Sequence, residues 1–229
     1  MNHLRYKTLL NLSHASEDRG DVVLPHSLDE KDDPVRLIVA DAANGMRASH
    51  AWARLLALSF TTNGFDLARV RSEWKLSRPG INTFASFIGL ELSQREFAWR
   101  ATRAGDCCLI HLRKGLLVTS LPNNIAGLSA SASLLASLWT VNDHLVEQRQ
   151  GSFSAGDCFV LTSDGMANHL FHLICERKPL NAQQIQALHT ELTEQWQEVH
   201  GSDWFLRNAP DLGVSVLEIL TSSAPATVV

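Results

Sequence analysis

Two mostly apolar runs in this chain each stop on an aspartate. Val35-Arg36-Leu37-Ile38-Val39-Ala40 leads to Asp41, and Cys158-Phe159-Val160-Leu161-Thr162-Ser163 leads to Asp164. Runs of this length and composition read as buried strands. Asp106 sits in the turn Ala104-Gly105-Asp106, Asp211 stands just before the apolar stretch that opens at Val214, and Glu17-Asp18 precede the first of these strands. One aspartate at a strand end is ordinary turn or cap chemistry. If several at the ends of core strands converge, they cannot all remain ionised unaided. Two unit charges about 5 Å apart repel by roughly 3 kcal/mol at an effective dielectric of about 20. Converging carboxylates of this kind take up protons or hold divalent cations. An all-oxygen ligand set selects hard ions such as Mg²⁺ or Mn²⁺ over zinc. A pair of such ions activates a bridging water and clamps a phosphoryl group for in-line attack.

The rest of the chain alternates between the two hydrophobic periods. Ala48, Trp52, Leu55, Leu56 and Ser59 fall at helical spacing before Gly64, and a second helix is expected over Asp66 to Lys75, before Pro79-Gly80. From Phe84 the period becomes two. Phe84 to Leu92 and Glu96 to Arg103 read as a hairpin turning at Ser93-Gln94, with Phe97, Trp99 and Ala101 on one face. Cys107 to Leu112 and Leu116 to Thr119 form a further pair around Arg113-Lys114-Gly115. A helix is expected from Gly165, with Met166, Leu170, Leu173 and Ile174 on one side. The clearest helix spans Ala182 to His200, where Ile185, Leu188, Leu192, Trp196 and Val199 form one stripe. Asn181 and Gln184 form a capping-box-like start and Gly201 a stop. Val214 to Leu220 is the last strand. Gly127 to Leu138, rich in Ser, Ala and Leu, has no assignment. The expected organisation is one α+β domain over residues 1–220, built of many antiparallel strands with a few long helices, and a loose tail over 221–229.

Composition removes several classes of function. Twenty Lys and Arg against 24 Asp and Glu leave a net charge of −4, which excludes a strongly basic nucleic-acid binder. No apolar run approaches the roughly 20 residues of a membrane span. Met1 to Lys7 lacks a signal-peptide core, so a cytoplasmic protein is expected. The cysteines at 107, 108, 158 and 175 form no C-x-x-C pair and suggest neither a zinc ribbon nor a disulfide framework.

Six segments, in order, resemble the metal-dependent type 2C protein Ser/Thr phosphatases, in particular their compact bacterial branch. Ser16-Glu17-Asp18 is similar to N-E-D, 24 residues before Asp41. Val39-Ala40-Asp41-Ala42-Ala43-Asn44-Gly45 is similar to V-A-D-G-M-G-G. Ala104-Gly105-Asp106-Cys107-Cys108, followed by Arg113-Lys114-Gly115, resembles V-G-D-S-R and its R-D-G hairpin. Thr140-Val141-Asn142-Asp143-His144 resembles L-T-x-D-H. Gly156-Asp157 with Leu161-Thr162-Ser163-Asp164-Gly165 resembles G-D-x-x-x-L-x-S-D-G, and Pro210-Asp211-Leu212-Gly213-Val214 resembles the closing D-N-I-T-V. The resemblance implies a four-layer α-β-β-α sandwich of two antiparallel sheets flanked by helices. It implies hydrolysis of phosphoserine or phosphothreonine on proteins, with a cognate Ser/Thr kinase as signalling counterpart. It also implies two Mn²⁺ or Mg²⁺ ions held by Asp41, Asp164, Asp211 and the Ala42 carbonyl. Glu17 then orders a metal-bound water, and Asp106 binds a third, weaker ion.

The chain departs from the pattern at Ala42 in place of Gly, Leu212 in place of Asn, Cys107-Cys108 in place of Ser-Arg, and Ser13 where a phosphate-binding Arg often stands. These departures sustain an alternative, a weak or inactive phosphatase-like regulatory domain that binds a kinase or phosphoprotein. A phosphodiesterase using the same dimetal chemistry fits the monoesterase-like motifs less well. His169, His172 and Cys175 share one expected helix with its apolar positions, which favours packing or surface placement over zinc. Cys107 and Cys158 lie in strands, a context for inert thiols rather than nucleophiles. Ser163-Asp164-Gly165 does not satisfy G-x-S-x-G.

Overall fold

A computed structural model describes residues 4–12, 22–25, 33–43, 47–123, 134–140, 143–176, 178–200 and 214–221. The elements run β1 (Leu4–Leu12), β2 (Val22–Pro25), β3 (Val35–Ala42), α1 (Arg47–Asn63), α2 (Leu67–Ser77), β4 (Phe84–Ser93), β5 (Ala98–Ala104), β6 (Cys108–Arg113), β7 (Leu116–Leu121), β8 (Leu135–Ala136), β9 (Glu147–Ser152), β10 (Asp157–Thr162), α3 (Asp164–Cys175), α4 (Ala182–His200) and β11 (Val214–Thr221). One sheet has the order β1-β11-β10-β6-β7. The other has β2-β3-β4-β5-β9, with β8 added beside the start of β4. Every pairing is antiparallel.

Strand alternation divides the side chains among three cores. Val35, Leu37 and Val39 of β3, Ile88, Leu90 and Leu92 of β4, Leu109 of β6, Phe159 and Leu161 of β10, and Leu217 and Ile219 of β11 fill the space between the sheets. Their neighbours point outward. Ile38, Ala40 and Phe87 meet Trp52, Ala53, Leu56 and Phe60 of α1 and Val70 and Trp74 of α2. Ile110, Val160, Val214 and Val216 meet Met166, Leu170 and Phe171 of α3 and Ile185 and Leu192 of α4. The four-layer α-β-β-α sandwich expected from the resemblance is therefore the architecture observed. Helix α1 approaches its sheet so closely that a Cβ on Gly89 would lie 2.5 Å from the Phe60 ring. No helix among the described residues is long and apolar enough to cross a membrane.

Local signals act as expected at several ends. The Asp66 carboxylate accepts the Arg69 N–H at 3.0 Å to start α2. Asn181 and Gln184 exchange backbone-to-side-chain bonds of 2.9 and 3.0 Å to start α4. Other expectations need correction. The β4–β5 turn covers Gln94–Phe97, and Phe97 sits in it with φ of 51°, exposed, rather than on the strand face shared by the buried Trp99 and Ala101. On α3 the buried stripe is Met166, Ala167, Leu170 and Phe171, with Leu173 and Ile174 only half-buried. Strands β1, β2, β8 and β9 were not anticipated, and β11 takes in Thr221. Residues 124–133, the side chains of Trp196 and Val199, Gly201 and the tail over 222–229 lie outside the described residues.

Candidate functional site

Three of the acids singled out by sequence, Asp41, Asp106 and Asp164, lie toward one end of the space between the sheets. Asp41 follows Val35, Leu37 and Val39 on the inward face of β3 and is half-buried. Across the ladder it pairs with Ser86, which is fully buried on the inward face of β4. Gly105 lies directly over Ser86. A Cβ there would come within 2.3 Å of the Ser86 Cβ, and φ of +85° also disfavours any side chain. Tight contact with Ser86 therefore carries the Gly105-Asp106 turn to the Asp41 end of the sheet. From the opposite sheet, β10 ends at Thr162, Ser163 occupies the N-cap position, and Asp164 opens α3.

Two electrostatic features mark this end. Burial, and then the negative charge of Asp106, push the Asp164 carboxyl above the usual carboxylate range, against hydrogen bonds from the Gly165 and Asp164 backbone N–H groups. Asp164 thus feels the charge of Asp106. Asp106 Oδ1 is buried and has no hydrogen-bond partner among the described residues. The Ser215 hydroxyl, on the same face of β11 as Leu217 and Ile219, is buried and unpartnered in the same sense. It pairs with Leu161, three residues before Asp164. Sequence reading passed over Ser86 and Ser215, since a serine in a strand gives no signal until register shows what it faces.

No protein-family model and no curated protein matches the chain. Solved structures do. The phosphatase domain of SpoIIE from Bacillus subtilis aligns over 100% of this chain and 98% of that one, at a TM-score of 0.56 and 14% identity. The SiaA-PP2C domain of Pseudomonas aeruginosa aligns over 96% and 85%, at 0.54 and 13%. The photosystem II phosphatase PBCP aligns over 98% and 100%, at 0.57 and 15%. The fold is that of the type 2C protein phosphatases.

Within the type 2C fold, the expected site residues fall into two groups. Asp41, Asp106 and Asp164 are placed at one end of the sandwich. Glu17 and Asp211, with Ser13 and Leu212, lie outside the described residues. Among the described residues, no group of three or more His, Cys, Asp or Glu side chains assembles into a metal cage. Ala42 is half-buried and packs toward α1, so its methyl points away from the inward face that carries Asp41.

Other segments of the resemblance are put to structural use. Asp157 lies at the opposite end of β10, fully buried. It accepts Arg113 Nε at 2.7 Å and Nη2 at 2.8 Å, His111 Nε2 at 2.9 Å and the Ser154 N–H at 2.9 Å. The Arg113-Lys114-Gly115 and Gly156-Asp157 motifs are thus one ion pair seen from its two strands. Asp143 is clamped by Arg71 of α2 at 2.5 and 2.6 Å. The same guanidinium also donates to the Ala136 and Trp139 carbonyls. His169, His172 and Cys175 are exposed. The Cys107 thiol is buried 3.3 Å from the Ser86 hydroxyl, and burial pushes the Cys108 thiol far above the ordinary thiol range. That is the opposite of a nucleophile's environment.

Proposed function

We propose that this chain is a metal-dependent phosphatase acting on phosphoserine and phosphothreonine in proteins. The observation that carries the reading is the Asp106–Asp164 pair, in which one carboxylate oxygen is buried without a donor among the described residues and the other carboxyl is held toward its neutral form. Such a pair fits a hard cation, which would supply the missing electrostatic partner to both groups. The residues that would hold two Mn²⁺ or Mg²⁺ ions are Asp41, Asp164, Asp211 and the Ala42 carbonyl, with Asp106 serving a third. When bound, these ions supply an acidified water for in-line attack on phosphorus and positive charge for the phosphoryl oxygens.

The chain's own residues prepare that chemistry. The first turn of α3 directs backbone N–H groups at Asp164 and orients its carboxylate. Val39, Ile88 and Leu161 form an apolar floor beneath the acids and close the inner end of the site to water. Ser86 holds the Gly105-Asp106 turn against the Asp41 pair. Glu17 would order solvent. Phosphoproteins and a cognate kinase are the partners this reading assigns, within one cytoplasmic domain over residues 1–220.

The test is release of phosphate from a phosphoserine or phosphothreonine peptide, with and without Mn²⁺. Turnover that requires Mn²⁺ and is lost in Asp41→Asn and Asp164→Asn supports the reading. Leu212 and Ser13, where the resembling segments carry Asn and Arg, favour the second reading of a phosphatase-like domain that binds phosphoprotein without hydrolysis. Phosphopeptide binding with no turnover at saturating Mn²⁺ would establish that reading instead.

A further inference from the structure

Arg103 is an arginine at only 4% exposure on β5, two residues before Gly105. Its Nε donates to the Cys107 carbonyl at 2.7 Å, reaching across the Gly105-Asp106 turn to the residue after it. Its Nη1 pairs with the Glu147 carboxylate at the start of β9, which is half-exposed. On its other side the turn rests on Ser86, through Gly105 and through the Cys107 thiol. Asp106 therefore sits in a turn gripped from two directions, and its Oδ1 is buried with no hydrogen-bond partner among the described residues. The resembling V-G-D-S-R segment carries its arginine after the turn, where this chain has Cys108. Here the guanidinium at the turn comes from the preceding strand.

We infer that Arg103 is a positioning residue for Asp106. By tying the Cys107 carbonyl to Glu147 across the β5–β9 pair, it holds the Asp106 carboxylate in place to take a divalent cation. This inference rests on the metal-dependent reading of the site. Removing the guanidinium leaves Asp106 chemically intact but frees the turn to rotate, and loss of an outer partner of this kind weakens metal binding by about 10–100-fold. Glu147→Gln keeps a hydrogen-bond acceptor for Arg103 and removes only the charge, so its effect is smaller and in the same direction.

The experiment is calorimetric titration of the full metal-free chain with MnCl₂, alongside thermal melts without metal. The chains compared are wild type, Arg103→Met, Arg103→Lys, Glu147→Gln, Asp106→Asn and Arg103→Met/Asp106→Asn. The weakest Mn²⁺ site is expected to lose about 10–100-fold in affinity in Arg103→Met. Arg103→Lys should recover part of the loss, while tighter sites stay unchanged. Because both changes act on the same ion, the double variant should bind no more weakly than Asp106→Asn alone. If Arg103→Met does not fold, Glu147→Gln, altered at a half-exposed position, carries the test. Wild-type affinity in Glu147→Gln and Arg103→Lys would then overturn the inference. So would an Arg103→Met loss that persists in full on the Asp106→Asn background, since Arg103 would then act elsewhere. A wild type that binds no Mn²⁺ overturns the metal-dependent reading itself, and the inference with it.

Discussion

Two aspartates flank β10, and the structure assigns them opposite consequences on substitution. Asp157, at the end away from the site, is fully buried and receives four hydrogen bonds, two of them from Arg113. In Asp157→Ala the Arg113 guanidinium is half-exposed and returns to water, so its share of the loss is small. His111 has no such exit. It is 1% exposed and stacked on Phe159 with ring centroids 4.4 Å apart, and its Nε2–H is left buried without an acceptor. An orphaned buried donor costs about 1–3 kcal/mol, and breaking a buried ion pair from one side about 3–5 kcal/mol. With the Arg113 share discounted, about 3 kcal/mol is expected for Asp157→Ala. In a chain of this size that lowers Tm by roughly 6–12 °C. Asp157→Asn keeps the shape and one acceptor, and should lose about half as much. Urea and thermal unfolding of the metal-free protein measure both changes. Mn²⁺ binding should be unaffected, because β10 separates Asp157 from the Asp164 end by roughly 17 Å. A loss below about 0.5 kcal/mol in Asp157→Ala, within the range of an ordinary surface change, would refute the reasoning.

Acidification should destabilise the protein in two stages. Burial holds His111 below its ordinary range despite Asp157, so the unfolded chain takes up a proton that the folded chain does not, and stability falls as pH drops below about 6.5. Burial works against ionised Asp157, but Arg113, the Ser154 N–H and His111 together hold it below its usual range. Its contribution, present above about pH 4, is lost below that. Urea unfolding between pH 7 and 4 checks the sign, and a rise in stability from pH 6.5 to 5 would contradict it. At the other end of β10, Asp164→Asn should leave the metal-free melting temperature unchanged or higher, because it removes a burdened carboxylate. It should abolish most of the Mn²⁺-induced rise expected of wild type, and a preserved rise would place the metal elsewhere. Gly105→Ala meets both the left-handed φ and the Ser86 contact, and should cost roughly 2–4 kcal/mol in urea unfolding. Adding Ser86→Gly should restore the part due to contact.

Local chemistry was legible along the chain. The apolar runs ending at Asp41 and Asp164, the Asn181–Gln184 box and the turn at Lys114-Gly115 each depend on residues within a few positions of one another. Period and capping are short-range properties, and the ordered motifs around these acids carried the fold. Phe97 went astray because its alternation with Trp99 satisfied the strand period, while the turn needed one more residue at positive φ.

Sequence alone determined that β3, β4, β6, β10 and β11 are strands with a buried inward face, where the major helices start, and which carboxylates emerge at strand ends. Tertiary structure decided what those groups meet. Strand β9, Glu-Gln-Arg-Gln-Gly-Ser, has no hydrophobic period, and is a strand because it pairs with β5 and because Arg149 bonds Thr119 and Ser120 of β7. Arg113 finds Asp157 across 44 positions, Arg71 finds Asp143 across 72, and Ser86 comes to underlie Gly105. An arginine carries the same five donors wherever it stands, so its partner is chosen by register and by which face the pleat turns inward. That choice is made only when the sheets assemble, and it sets Arg103 over the Asp106 turn and commits Arg113 to Asp157 at the far end.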